Sequence, residues 1–376
     1  MKLLRNFGSV VTGDITSSIL GGFFWLFLAT LLTVENYGEI QYLISIASMA
    51  VGFSLIANSN NIIVYEIKKR NLTSTLFLIS LILAGISVVI LFFIYSRLDI
   101  IFLTFGLMIG EMMIGYIIGK KLFIKYVFYI ILQKGLMVIL GIGFHHYFGI
   151  DGIIYGIALS YIPLSIIIYQ GLKESKIDFL LLRDNYKFIL NNYLIKIISF
   201  ARKHLDKIII FPILGFGILG EFALAIQIYM IMILFSNISF KFLLLKDASG
   251  SKSKKIQSLV LLTSVVITIL GITLSSTLIP IFFPNFIEII DIIPILSLSV
   301  IPYTLGVIFT SKFLGGENSK FPLIGTIIHV ISYLILIIIL GLTYGLIGLS
   351  VSFVISSIIS NGFLIITYKI QKNKGT

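Results

Sequence analysis

The chain has 376 residues, 58% of them hydrophobic and only 12% charged, with a mean hydropathy of +1.10. An apolar excess of this size is more than one soluble core can hold, which excludes a water-soluble globular domain and makes a bilayer the solvent. There is no cysteine, which excludes disulfides, thiolate catalysis and cysteine metal sites, and the four histidines are too scattered for a metal cluster.

Backbone groups in lipid must be satisfied internally, so only helices or a closed barrel can span it. The apolar runs here are continuous rather than alternating, which selects helices. Met1 to Arg5 is a short basic segment before a long apolar run with no small-residue cleavage site, read as a retained first helix. Spans are predicted at about 9–33, 39–65, 72–95, 100–119, 124–147, 152–172, 188–213, 217–240, 257–281, 292–312, 321–341 and 346–368, about twelve in all.

Basic residues fall almost entirely in alternate connections: Lys2 and Arg5, Lys68 to Arg70, Lys120 to Lys125, Lys173 to Lys187, Lys241 to Lys255, Lys312 and Lys320, and Lys369 to Lys374. The opposite loops hold only Arg97. This asymmetry predicts a multi-pass protein of the cytoplasmic membrane with both termini cytoplasmic, and it absorbs most of the formal charge of +12 without a nucleic-acid partner. Reading the charged start of the seventh span as an interfacial helix would leave eleven spans and put the later basic clusters on the wrong side.

The first and second halves echo each other. Tyr37-Gly38-Glu39 in the first loop corresponds to Leu219-Gly220-Glu221 after the seventh span, and Phe148-Gly149-Ile150-Asp151-Gly152 corresponds to Tyr344-Gly345-Leu346-Ile347-Gly348. An even number of helices per copy makes this a parallel repeat around an axis along the membrane normal. The expected fold is therefore an all-α polytopic membrane protein of two six-helix bundles, residues 1–172 and 188–376, joined by the charged cytoplasmic linker 173–187. No loop is long enough for a soluble domain.

A charge at mid-membrane costs roughly 2.5–3.5 kcal/mol on insertion scales, so such residues face water or each other. The seventh span is the extreme case: at about 100° per residue Asn192, Lys196, Ser199, Lys203 and Lys207 share an arc of about 80°. Asp206 and Arg202 flank it, four residues apart, where they can pair. A cationic stripe facing a lumen between the halves would attract a phosphate; against this, single lysines can snorkel to headgroups. Elsewhere Asp14 lies among Thr12, Thr16, Ser17 and Ser18, Glu111 is central in the fourth span, and Lys134 in the fifth is a candidate ion-pair partner for it. Glu111 is also a candidate ion-coupling carboxylate. His329 reads as a packing residue, and Pro163, Pro212 and Pro302 are expected inside helices as kinks or hinges.

The stretch Leu28 to Ser54 around Tyr37-Gly38, and the stretch Leu205-Asp206-Lys207-Ile208 through Leu214-Gly215 to Leu219-Gly220-Glu221-Phe222-Ala223, resemble the O-antigen (Wzx-type) polysaccharide flippases of the multidrug/oligosaccharidyl-lipid/polysaccharide exporter (MOP) superfamily. Residues 280–303 and the Gly-rich openings of the sixth and twelfth spans fit the same family, although the chain is short for it and lacks the usual Gly-Pro before Tyr37. The resemblance implies a non-enzymatic flippase moving a polyprenyl-phosphate- or pyrophosphate-linked oligosaccharide to the outer leaflet by alternating access. On that view Lys196, Arg202, Lys203 and Lys207, with Asn192, bind the lipid phosphate. Asp14, Glu111 or Asp206 couple to sodium or protons, no other cofactor is needed, and glycosyltransferases or a polymerase of the pathway are partners.

Two rivals stand beside it. A cation-coupled drug exporter of the same superfamily favours an acidic and aromatic lumen over a lysine-lined one. A membrane glycan polymerase or ligase needs a large outer loop, which is missing here.

Overall fold

The computed structural model describes residues 2–250, 254–316 and 318–374, so Lys252 of one inner basic cluster lies outside it. Among the described residues the chain is helical without strands. The helices are α1 (Lys2–Leu31), α2 (Val34–Ser54), α3 (Ser59–Ile67), α4 (Thr73–Tyr95), α5 (Leu98–Gly119), α6 (Phe123–Leu159) and α7 (Ser165–Leu172). They continue with α8 (Phe179–Asp184), α9 (Tyr186–Met232), α10 (Leu234–Ala248), α11 (Lys254–Phe282), α12 (Ile289–Ser297), α13 (Val300–Gly315) and α14 (Lys320–Lys374).

Nine helical stretches among the described residues are long and apolar enough to cross a membrane. Three of them, 50, 47 and 52 residues long, are about twice the length a bilayer needs. Each is broken by one glycine with positive φ: Gly149 (φ 62°), Gly215 (φ 82°) and Gly345 (φ 54°). Divided there, the stretches give the twelve spans expected. Large apolar side chains face outward, among them Phe93, Ile124, Ile139 and Leu262, as they do when the solvent is lipid. The chain is a multi-pass membrane protein.

The repeat is visible in backbone geometry. Gly149 and Gly345 share nearly the same conformation, with ψ of −140° and −129°. A side chain at Gly152 would meet the carbonyl of Phe144, and one at Gly348 the corresponding carbonyl of Leu340. The first echo is reciprocal: Gly38 lies against the carbonyl of Phe216, and Gly220 against that of Val34. Such an exchange of equivalent contacts is what a two-fold relation produces.

Four predicted spans are interrupted, the eighth at Ile233 and the tenth at residues 298–299, and the second and sixth at wider breaks. The second breaks at residues 55–58, where Asn58 caps α3 through the Asn61 N–H (3.1 Å) and Ser80 accepts the Ala57 N–H (2.7 Å), so the freed backbone groups are satisfied. The sixth breaks between Ser160 and Ser165 around Pro163, in a 3-10 turn. Pro302 sits in the first turn of α13, where no helical N–H bond is lost, so of the three prolines expected inside helices only Pro212 lies well inside one, just before Gly215.

The chain divides into two compact units, Met1–Phe24 with Ile40–Ile208, and Trp25–Glu39 with Ile209–Thr376. The first is built on Leu76, Phe77, Met108, Met112, Leu164 and Ile168, all buried, from α4, α5, α7 and the turn before it. In the second, Tyr37 is fully buried against Trp25 and Phe286, and Tyr229, Ile233 and Val300 form a further core under Tyr303 and Phe353. His329 stacks on Tyr333 with ring centroids 5.7 Å apart.

Candidate functional site

All nine residues proposed from the sequence for phosphate binding, ion coupling or ion pairing fall in the first unit, on α1, α5, α6 and the first segment of α9. That segment is held by its backbone and aromatic residues. Asn61 of α3 donates to the carbonyl of Ile189 (3.3 Å), the Tyr193 hydroxyl donates to the Phe53 carbonyl, and Phe200 covers Gly52. The polar stripe is therefore carried on a seated helix.

Lys196 Nζ donates to Glu111 Oε2 at 2.8 Å and lies 5.3 Å over the Phe200 ring. Its side chain is 18% exposed and that of Glu111 28%, so the pair is largely withdrawn from solvent. The partner of Glu111 is thus Lys196 and not Lys134. The reason is which neighbour each face meets. α6 lies along α1, with Val127 at Gly13, Tyr126 at Asp14, Lys134 at Gly21 and Gly141 at Phe24. A side chain at Gly21 would stand 3.8 Å from Lys134 Cε, and Lys134 Nζ lies 3.9 Å from the Met137 sulfur. Among the described residues no carboxylate comes within ion-pair distance of it.

Asp14 has its own partner. The Tyr126 hydroxyl donates to its Oδ1 at 2.5 Å, and the Ser17 and Ser18 hydroxyls donate to its backbone carbonyl. Tyr126, absent from the sequence expectation, is the link between α1 and α6; a lone tyrosine in an apolar run carries no signal of its partner.

Further along α9 the expected Arg202 to Asp206 pair does not form. Buried Asp206 has Lys207 Nζ 3.6 Å from its Oδ1, and Lys207 also donates to the Lys203 carbonyl at 3.2 Å. Four-residue spacing permits a pair, but here Arg202 is exposed while Asp206 is inside. Asn192 donates to the carbonyl of Phe188 within its own helix. Arg202 and Lys203 are exposed, and among the described residues neither has a carboxylate within ion-pair distance; Lys203 feels the charges of Glu111, Lys196 and Arg202. The site thus holds two ion pairs, Lys196 with Glu111 and Lys207 with Asp206, beside two exposed cations, Arg202 and Lys203, that have no carboxylate partner among the described residues. Among the described residues no group of three metal-ligating side chains is found.

Fold and site together describe a polytopic helical membrane protein with a cationic helix face. Compared with protein-family models and with curated proteins, the chain matches none. Solved structures do match. The lipid II flippase MurJ in an inward closed conformation has a TM-score of 0.76 at 16% identity, over 96% of this chain and 87% of that one. An inward-facing multidrug resistance MATE family transporter of the MOP superfamily has a TM-score of 0.71 at 17% identity, over 96% of both chains. A point mutant of the Vibrio cholerae MATE transporter VcmN has a TM-score of 0.67 at 12% identity, over 99% of this chain and 96% of that one. The chain has the fold shared by these transporters.

Proposed function

We propose that the protein is an alternating-access flippase of the cytoplasmic membrane, with both termini cytoplasmic and six-helix halves at 1–172 and 188–376. Its substrate is a polyprenyl-phosphate- or pyrophosphate-linked oligosaccharide, carried from the inner to the outer leaflet for cell-surface glycan synthesis. The observation that supports it most is the pair of uncompensated cations on α9, Arg202 and Lys203, beside a lysine already neutralised by Glu111. A phosphate entering there meets positive charge in a low-dielectric setting, where it is strongly attracted. It also competes with Glu111 for Lys196, so binding of the anion would free the Glu111 carboxylate, which a coupling cation could then neutralise. Asn192 and Lys207 extend the row. The fold shared with a lipid II flippase agrees with this reading.

Asp14, Glu111 and Asp206 are the carboxylates available for coupling to sodium or protons, and the glycosyltransferases or polymerase of the same pathway are the expected partners. A second reading, a cation-coupled exporter of small molecules, draws on the Asp14 carboxylate held by Tyr126 and on the MATE folds. The two separate in one experiment. Lys203→Ala with Lys207→Ala should leave membrane insertion intact while lipid-linked glycan accumulates on the cytoplasmic leaflet. Normal surface glycan in that variant overturns the flippase reading, and dye efflux by the wild type in proteoliposomes, unaffected by the double substitution, would support the exporter.

A further inference from the structure

Away from the α9 stripe, the first unit holds a second concentration of cations. A cavity of about 480 Å³ opens where α3 and α5 end and α4 begins, and its charged lining is Glu66, Lys69, Arg70, Lys120, Lys121 and Glu174. Both carboxylates are engaged by one lysine: Lys120 Nζ lies 3.1 Å from Glu66 Oε2 and also pairs with Glu174. Glu66 accepts the Thr73 hydroxyl as well, and Arg70 donates to the Asn185 side chain. Among the described residues, Lys69 and Lys121 have no carboxylate within ion-pair distance. The cavity therefore carries more positive than negative charge, and two of its cations are uncommitted.

The backbone adds an independent observation. α3 and α5 close with the same turn. Lys69 (φ 52°) bonds to the Glu66 carbonyl and Arg70 to that of Tyr65; Lys121 (φ 59°) bonds to the Ile118 carbonyl and Leu122 to that of Ile117. This left-handed closing position ordinarily belongs to glycine, which adopts it without steric cost. Among the described residues only three that are not glycine have positive φ, and two are these lysines. Complementing the negative helix ends does not require them, because Lys68 and Lys120 already stand at the C-caps. Strained positions that gather at one cavity point to what their side chains do there.

We propose that this cavity binds a phosphate group, presented by an anionic lipid headgroup or by a soluble phosphate ester, between the ammonium groups of Lys69 and Lys121. The ends of two spans place it at headgroup depth, where basic pockets between helices take up anionic lipids. The inference does not rest on the flippase reading, since it uses no residue of the α9 stripe.

The test uses the full chain in detergent with equimolar phosphatidylglycerol and phosphatidylcholine, with retained lipid read by native mass spectrometry. Lys69→Gly with Lys121→Gly removes both cations while relieving the backbone, so its thermal midpoint should not fall. Its preference for phosphatidylglycerol should drop roughly 25-fold, about five-fold per lysine. Lys69→Gln with Lys121→Gln, which keeps side-chain bulk, should show the same loss. Glycerol phosphate that displaces phosphatidylglycerol from the wild type identifies a soluble ester as a ligand; lack of displacement identifies the lipid. A wild type that retains both lipids equally and binds no glycerol phosphate overturns the proposal. So does either double variant that keeps the full preference.

Discussion

Counted back from Gly38-Glu39 and Gly220-Glu221, Asp14 of α1 and Lys196 of α9 hold the same place in the internal repeat, with opposite charge. Each is secured by a different neighbour: Asp14 by the Tyr126 hydroxyl of α6, Lys196 by the Glu111 carboxylate of α5. The difference continues along the two helices. Where α1 has Gly21 and Trp25, α9 has Lys203 and Lys207; Gly21 leaves room for a lysine arriving from α6, whereas α9 carries its own. The repeat thus repeats backbone geometry, as at Gly149 and Gly345, while the charge on it is free to diverge. On the proposed flippase reading the divergence is a division of labour: the cations of α9 would hold the anionic substrate, and the Asp14 carboxylate of α1 would answer a coupling cation.

The sharpest way to break that comparison is to strand one charge. Lys196→Ala leaves Glu111 without its cation. Losing one partner of a fully buried pair costs about 3–5 kcal/mol, and for a pair partly open to solvent about 2 kcal/mol is expected. Thermal unfolding in detergent should show the loss. Lys196→Met combined with Glu111→Gln should recover most of it, because no charge is then left unpaired. If the single and double variants unfold alike, the pair is not what holds α9 to α5.

The α1 side should respond less. Tyr126→Phe removes the one hydrogen bond from this hydroxyl to the Asp14 carboxyl group, worth about 1.5 kcal/mol, and keeps the ring. The same unfolding measurement applies. A loss equal to that of Lys196→Ala would mean that the two equivalent positions are bound with equal strength, against the distinction between an ion pair and a neutral donor.

Much of the fold is legible in the sequence because its causes are local. Twelve apolar runs with basic residues in alternate connections state the spans directly, and the paired Gly-rich turns announce the repeat. The break at residues 55–58 also has a local cause, in the polar run Asn58-Ser59-Asn60-Asn61, which is a helix-start signal inside an apolar stretch. The site is legible only as a set of residues. Helical periodicity says which side chains share a face, so the α9 stripe emerges from spacing alone. It does not say which neighbour that face meets, and this is why the sequence matches Glu111 to Lys134 when α6 turns that lysine to Gly21 of α1. The Arg202 to Asp206 expectation misses for a related reason: four-residue spacing allows contact, but burial of one partner and exposure of the other forbids it.

The smallest expected effect tests the repeat itself. Gly149 and Gly345 adopt a left-handed φ with nearly the same ψ, and nothing lies within 4 Å of where a β-carbon would stand at either. Substitution by alanine therefore meets no clash, and its whole cost is conformational, about 1 kcal/mol at each position. Equal penalties for Gly149→Ala and Gly345→Ala, additive in the double variant because the sites share no partner, follow from equivalent backbone strain. Gly152→Ala and Gly348→Ala supply the contrast, because there the β-carbon would press on the carbonyl of Phe144 or Leu340 and the cost becomes steric. A pair that splits, with one glycine tolerant and the other not, would show that the two turns share a shape without sharing a mechanical role.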